Sequence, residues 1–266
     1  MKTALKAWIN ILVFTILLVI NYASSVGLIN NITQKEMSDK YLTPITPASF
    51  TFSIWGVIYT LIFISLILMI LNRNKRSYRT ISDTISPLFW VSSLFNIGWV
   101  VLFLYDQILI STIFILAFTV VLTFINRIIV RNNDNKKNIL AFTFGLYNGW
   151  LLIATIVNIA AYLVKINWNR GGLSQEILGI VLLSMAFIIA VGMMAWLKNA
   201  VFTLPAAWAC YGIYHFLVSS TGSNSDYSLL PIVSIIYMIF LISGAIIQFK
   251  LNKWKLIPAP KRNIYL

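Results

Sequence analysis

Eight apolar stretches, at about 7–29, 49–71, 87–105, 108–130, 139–164, 176–197, 199–219 and 229–251, take up most of this 266-residue chain. Each is long enough to cross the hydrocarbon core of a bilayer as a helix, which needs about 20 residues. The connections between them leave no room for a sizeable extramembrane domain. The expected fold is therefore an all-α integral membrane protein, a polytopic bundle of about eight transmembrane helices. Composition agrees: 10% of the residues are charged, against about 25% in soluble proteins.

The 20 basic and 7 acidic residues would suggest nucleic acid in a soluble protein. Here the basic residues fall in short loops between apolar runs, so they read as topology signals and lipid-headgroup contacts, and nucleic acid is not expected as a partner. Numbering the loops alternately puts Lys2, Lys6, Arg73, Lys75, Arg76, Arg79, Arg127, Arg131, Lys136, Lys137, Lys198, Lys250, Lys253, Lys255, Lys261 and Arg262 on one side, 16 in all. The other side has only 4, Lys35, Lys40, Lys165 and Arg170, together with Glu36, Asp39, Asp106, Glu176 and Asp226. The positive-inside rule then places both termini in the cytoplasm and the chain in an inner or plasma membrane, with the bacterial inner membrane the expected one.

Lys2 and Lys6 before an apolar run, followed by Ala23-Ser24-Ser25, admit a cleaved secretory signal. Asn10, Asn21 and the continuation to Ile29 favour a retained, packed helix. The sixth and seventh stretches are parted only around Lys198-Asn199, and Pro205 is tolerated in the first turn of a helix, so a tight hairpin is expected there. Pro258-Ala259-Pro260-Lys261-Arg262 reads as an extended basic tail at the headgroups.

No ionisable side chain lies near the centre of any stretch, which argues against a proton pump, a voltage sensor or a retinal-type Schiff base. His215, towards one end of the seventh stretch, reads either as an interfacial hydrogen-bonding residue or as a ligand or haem contact. A lone cysteine, Cys210, excludes an intramolecular disulfide and a multi-thiolate metal site within one chain. There is no H-E-x-x-H or G-x-S-x-G, and Gly171-Gly172 is a turn signal. Neither a metal site nor a catalytic set is expected, and no cofactor is required.

What the chain has instead is aromatic: 9 Trp, 12 Tyr and 17 Phe. Trp8, Trp168 and Trp254 at stretch ends suit interfacial anchors. Others recur at helical spacing: Phe52, Trp55 and Tyr59; Asn96, Trp99 and Phe103; Tyr147, Trp150, Ala154 and Asn158; Trp208, Tyr211 and His215. Each stripe alone reads as an ordinary packing seam. Asn96 and Asn158, however, must be hydrogen-bonded at such depth, to a partner helix or to a ligand. Aromatic walls with sparse donors describe either helix glue or a pocket for a flat apolar molecule.

Three of these motifs carry a resemblance. Pro47-x-x-Phe50-x-Phe52-x-x-Trp55-x-x-x-Tyr59, Phe95-Asn96-x-x-Trp99-x-x-x-Phe103 and Leu146-Tyr147-x-x-Trp150-x-x-x-Ala154-x-x-x-Asn158 occur in this order on the second, third and fifth stretches. Together with the very short connection at Asp106-Gln107, they resemble the tryptophan-rich sensory/translocator protein family (TspO/MBR). Ile54 and Leu146 stand where that family usually has proline.

The resemblance implies a five-helix bundle within residues 1–165 with a pocket for tetrapyrroles, sterols or similar flat ligands, and with the first loop as a lid. Three additional helices over 166–251 have no counterpart in the short members of that family and would cover a face used elsewhere for dimerisation, and a basic tail follows at 252–266. On this reading the ligand-binding residues are Phe52, Trp55, Tyr59, Asn96, Trp99, Tyr147, Trp150 and Asn158. Loop 30–48 would gate access to them. The expected function is a non-enzymatic receptor or carrier, with a tetrapyrrole as the candidate ligand. A secondary transporter and an enzyme acting on the bound tetrapyrrole or lipid are the alternatives. The bilayer and a hydrophobic small molecule are the expected partners, and homo-oligomer formation stays open.

Overall fold

The computed structural model describes residues 3–132, 138–219 and 227–259, the side chain of Ser77 excepted. Lys2, Lys136, Lys137, Asp226 and the tail from Pro260 onward lie outside the described residues. The helices are α1 (Thr3–Ser25), α2 (Gln34–Lys40), α3 (Ile54–Leu71), α4 (Arg76–Leu104), α5 (Ile108–Arg131), α6 (Asn138–Lys165), α7 (Gln175–Leu197), α8 (Leu204–Val218) and α9 (Leu230–Leu251). A 3₁₀ turn, Ser49–Ser53, leads directly into α3.

Seven segments among the described residues are long and apolar enough to cross a membrane, the 3₁₀ turn and α3 counting as one. The bundle is all-α, as its hydropathy demands. α1, α3, α6, α5 and α4 pack in that order into a closed ring, with α4 returning to α1, and α7, α8 and α9 pack on one another, α7 and α8 also on α6. α6 is consequently the axis of the molecule: 83% of its most apolar window is buried, against 22% in α1 and α9, whose outer faces are left for lipid.

α1 is shifted by four residues at each end, Thr3–Ser25 against 7–29, and two further elements depart more from the hydropathy boundaries. α4 begins at Arg76, not near 87, because its first three turns are polar and Pro87 lies inside the helix. A proline there removes one helical hydrogen bond and frees the carbonyl four residues earlier, at Asp83. Lys6 Nζ takes that carbonyl at 2.9 Å, and Lys6 also pairs with the Asp83 carboxylate at 3.3 Å. The freed acceptor is thus matched by a charge donated from α1.

The seventh stretch, expected at 199–219, forms a helix of only 15 residues. Residues 199–203 instead run as buried, irregular backbone, which is tolerated at such depth only where protein satisfies its polar groups. Asn199 does so: its Nδ2 donates to Asn126 Oδ1 at 3.0 Å and to Ala141 O at 2.8 Å, and its Oδ1 accepts from Val201 N at 3.3 Å. Ala200 N reaches Leu256 O at 2.9 Å, which draws the start of the C-terminal tail onto the same turn. The segment rests in a groove on α6 made by Gly145 and Gly149, where a Cβ on Gly149 would fall 2.0 Å from Phe202 O. Pro205 then sits in the first turn of α8, as its sequence position requires.

Candidate functional site

The 3₁₀ turn and α3 deliver Phe52, Trp55 and Tyr59 to the inside of the ring, α4 delivers Asn96, Trp99 and Phe103, and α6 delivers Tyr147, Trp150, Ala154 and Asn158. Trp55 lies at the centre. Its ring stacks on Tyr59 at 5.3 Å and tilts against Trp99 at 5.9 Å, while Tyr147 and Trp150 meet it edge-on at 6.1 and 6.2 Å. Phe52 makes an edge contact with Trp150 at 6.4 Å. Offset and T-shaped pairs of this kind contribute about 0.5–1.5 kcal/mol each beyond area burial, so the cluster braces three helices as well as lining space.

The fourth stripe does not join it. Trp208, Tyr211 and His215 pack around Phe50, with centroid distances of 5.4, 5.8 and 5.3 Å, and His215 is exposed. The opposite face of α8 supplies Ala209 and Ile213 to the inner wall. Sequence reading missed these two residues. The run of small residues Ala206, Ala207, Ala209, Cys210 and Gly212 was the available signal, since small residues mark the face on which helices approach closely.

The two deep asparagines hold helices together. Asn96, fully buried, accepts from Asn21 Nδ2 of α1 at 2.8 Å, and its own Nδ2 reaches Tyr147 Oη at 3.5 Å. Asn158 accepts from Trp99 Nε1 at 3.2 Å and donates to Ala154 O at 2.9 Å. Both amides are thereby occupied, and neither Asn96 nor Tyr147 borders either of the two cavities that meet at the cluster. By contrast the indole N–H of Trp150, a residue only 3% exposed, has no hydrogen-bond partner among the described residues. A buried donor left in this state costs roughly 1–3 kcal/mol unless something else accepts from it.

Two cavities meet at the cluster. The inner one, about 50 Å³, is walled by Phe52, Trp55, Trp99, Phe103 and Trp150 and borders Asn158. The outer one, about 410 Å³, lies between α1 and α3 and is bordered by Asn21, Tyr22, Trp55 and Tyr59. Gln34, Phe52 and Trp55 border both and so form the septum between them. Five of the eight sequence-derived residues, Phe52, Trp55, Trp99, Trp150 and Asn158, therefore border the inner cavity, and Tyr59 borders the outer one.

The first loop closes over both. Thr33 and Glu36 form a reciprocal capping box that starts α2, and those hydrogen bonds from Thr33 hold the Glu36 carboxyl below its ordinary pKa. Gln34 and Ser38 of α2, with Tyr41 just after it, roof the inner cavity. The far end of α2 is clamped to the turn between α4 and α5, where Asp106 accepts from Lys40 Nζ at 2.7 Å, Tyr41 Oη at 2.8 Å and Lys165 Nζ at 2.9 Å. Burial alone would raise the Asp106 carboxyl. The hydrogen bonds from Lys40, Lys165 and Tyr41 and the charge of Lys165 outweigh it and hold the group at about 2. Among the described residues no group of histidine, cysteine or acidic side chains is arranged to hold a metal ion.

A family model described as TSPO-like protein matches residues 7–247, running through the ring and across α7, α8 and most of α9. Neither a curated protein nor a solved structure matches the chain.

Proposed function

The chain belongs to the TSPO-like protein family, and on that premise we propose that it is a non-enzymatic membrane receptor or carrier for a flat hydrophobic molecule of tetrapyrrole or sterol shape. The observation that carries this reading is the unpartnered Trp150 Nε1 at a cavity walled by aromatic rings. An acceptor atom on a planar ligand would relieve that donor, and the rings of Trp55, Trp99 and Trp150 would supply its faces.

The cavity volumes set how such a ligand would bind. Small-molecule pockets span about 300–1,000 Å³, so the outer chamber of about 410 Å³ has the size of a binding site and the inner one of about 50 Å³ does not. The ligand enters between α1 and α3, seats first in the outer chamber, and reaches Trp150 when the ring of Trp55 turns aside. The described arrangement corresponds to the closed state, with the lid clamped at Asp106. We place the basic end of the bundle at the cytoplasmic face of an inner or plasma membrane, on the 16-to-4 distribution of basic residues.

The test is titration of the full chain, in lipid nanodiscs, with a metal-free porphyrin followed by tryptophan quenching. Trp55→Ala and Trp150→Ala are each expected to weaken binding about tenfold, the equivalent of about 1.4 kcal/mol. Unchanged affinity in both variants would remove these residues from the site.

A further inference from the structure

A third cavity, about 310 Å³, lies outside the aromatic cluster, between the end of α6 and the start of α7. Its walls are mainly apolar, with Leu163 and Val164 on α6, Leu178 on α7, and Leu42 and Pro44 of the lid exit above them, and Thr43 and Gln175 are the polar members. Pro44 is wedged against α7 where Gly179 leaves space, 2.8 Å from the position a Cβ would take. The rim is polar and comes from the connection between α6 and α7, as Asn167, Trp168 and Arg170.

The rim donors are uncommitted. The Arg170 guanidinium, the Trp168 indole N–H and the Asn167 side chain make no hydrogen bond or ion pair among the described residues. Among the described residues Arg170 is also the only charged side chain bordering the cavity. The nearby carboxylates among the described residues are engaged elsewhere: Glu176 accepts from the amides of Leu229 and Leu230 at 2.5 and 3.0 Å, and Asp106 is held by Lys40, Lys165 and Tyr41. A largely apolar trough ending on a guanidinium that has no partner among the described residues, at the level where Trp168 would anchor in headgroups, has the polarity of an amphiphile.

We propose that this cavity is a second binding site, for a single-chain amphiphile with an anionic head. The chain lies along α6 and α7 beneath Leu42 and Pro44, and the head takes Arg170, with Trp168 and Asn167 as further donors. The small volume selects one chain over two, and guanidinium is the side chain best matched to carboxylate or phosphate oxygens. Because the roof is the lid exit, an occupant also ties the lid to α7. The head could come from a free fatty acid or from a lipid of the bilayer, which share this chemistry.

The experiment uses the full chain in nanodiscs of zwitterionic lipid and a bromine-labelled twelve-carbon carboxylate, with the matching alcohol as control. Quenching of Trp168 is isolated as the difference between the parent and Trp168→Phe. The carboxylate is expected to quench with an affinity that falls about tenfold in Arg170→Gln and is largely retained in Arg170→Lys, the alcohol being indifferent to both. An alcohol that binds as well as the carboxylate, or a carboxylate indifferent to Arg170→Gln, would overturn the proposal. Adding an anionic phospholipid to the nanodisc distinguishes the sources. Arg170-dependent competition identifies a bilayer headgroup as the occupant, and its absence identifies the free acid, both in keeping with an anion site at Arg170. Porphyrin titration of Arg170→Gln is expected to match the parent, so failure here leaves the aromatic site untouched.

Discussion

Gly212 of α8 lies so close to Thr51 that a Cβ on the glycine would fall 2.0 Å from Thr51 Oγ1. On the same helix Gly212 O accepts from Ala48 N at 3.0 Å, and Trp208 Nε1 donates to Thr51 O at 2.9 Å. The turn that aims Phe52 and Trp55 inward is therefore seated on the C-terminal part of the chain. Gly212→Ala is expected to push this turn away and to destabilise the protein by about 1–3 kcal/mol, the usual cost of overpacking. A lowered Tm in detergent, with weaker porphyrin binding, is the measurement. An unchanged Tm would show that α8 yields without cost.

Trp150→Phe keeps a ring in place and removes only the unpartnered N–H. Since that donor has no acceptor among the described residues, stability should hold or rise slightly, while porphyrin affinity falls by about fivefold to tenfold for a lost hydrogen bond. Equal affinities for parent and Trp150→Phe would show that ring contact alone accounts for the residue's part in binding.

The Asp106 clamp sets a pH window. Released, the carboxyl titrates near its ordinary value of 3.8, and clamped it is held at about 2. A depressed carboxylate stabilises the clamped state fully above the released value and loses that contribution as pH falls towards the clamped one. The lid should stay closed from neutrality down to about pH 4 and loosen between there and about pH 2. Hydrogen exchange of residues 34–41 in Asp106→Asn at neutral pH should be roughly three- to fivefold faster, as befits partly exposed ion pairs. Exchange equal to the parent would place closure of the lid elsewhere.

Asn199→Ala would strand Asn126 Oδ1, Ala141 O and Val201 N, which now share one buried side chain. A loss of about 2–4 kcal/mol is expected from unsatisfied groups of this kind, seen as a large drop in thermal stability. A variant as stable as the parent would mean that water reaches the 199–203 turn.

Hydropathy located most helices to within a residue or two: 108–130 was expected and Ile108–Arg131 is found, and 139–164 became Asn138–Lys165. It misplaced the start of α4 because Arg76, Arg79 and Asp83 look like loop residues until Lys6 is seen to pair with Asp83. The helical spacing also put Trp55, Trp99 and Trp150 on inward faces. The same spacing gave no means of separating them from Trp208 and Tyr211, whose stripe packs around Phe50 instead.

What the amino-acid order determined by itself was which segments enter the bilayer, where the basic loops gather, and which faces carry the rings. Those properties are sums of local transfer energies and a period of 3.6 residues, so they can be read without knowing any neighbour. Only the tertiary structure decided that Asn96 and Asn158 are spent on Asn21 and Trp99, that residues 199–203 abandon the helix, and how much space is left beside Trp150. Each of those depends on how far one helix approaches another distant in sequence, a separation set by glycines such as Gly145, Gly149 and Gly212 and by the partners they admit.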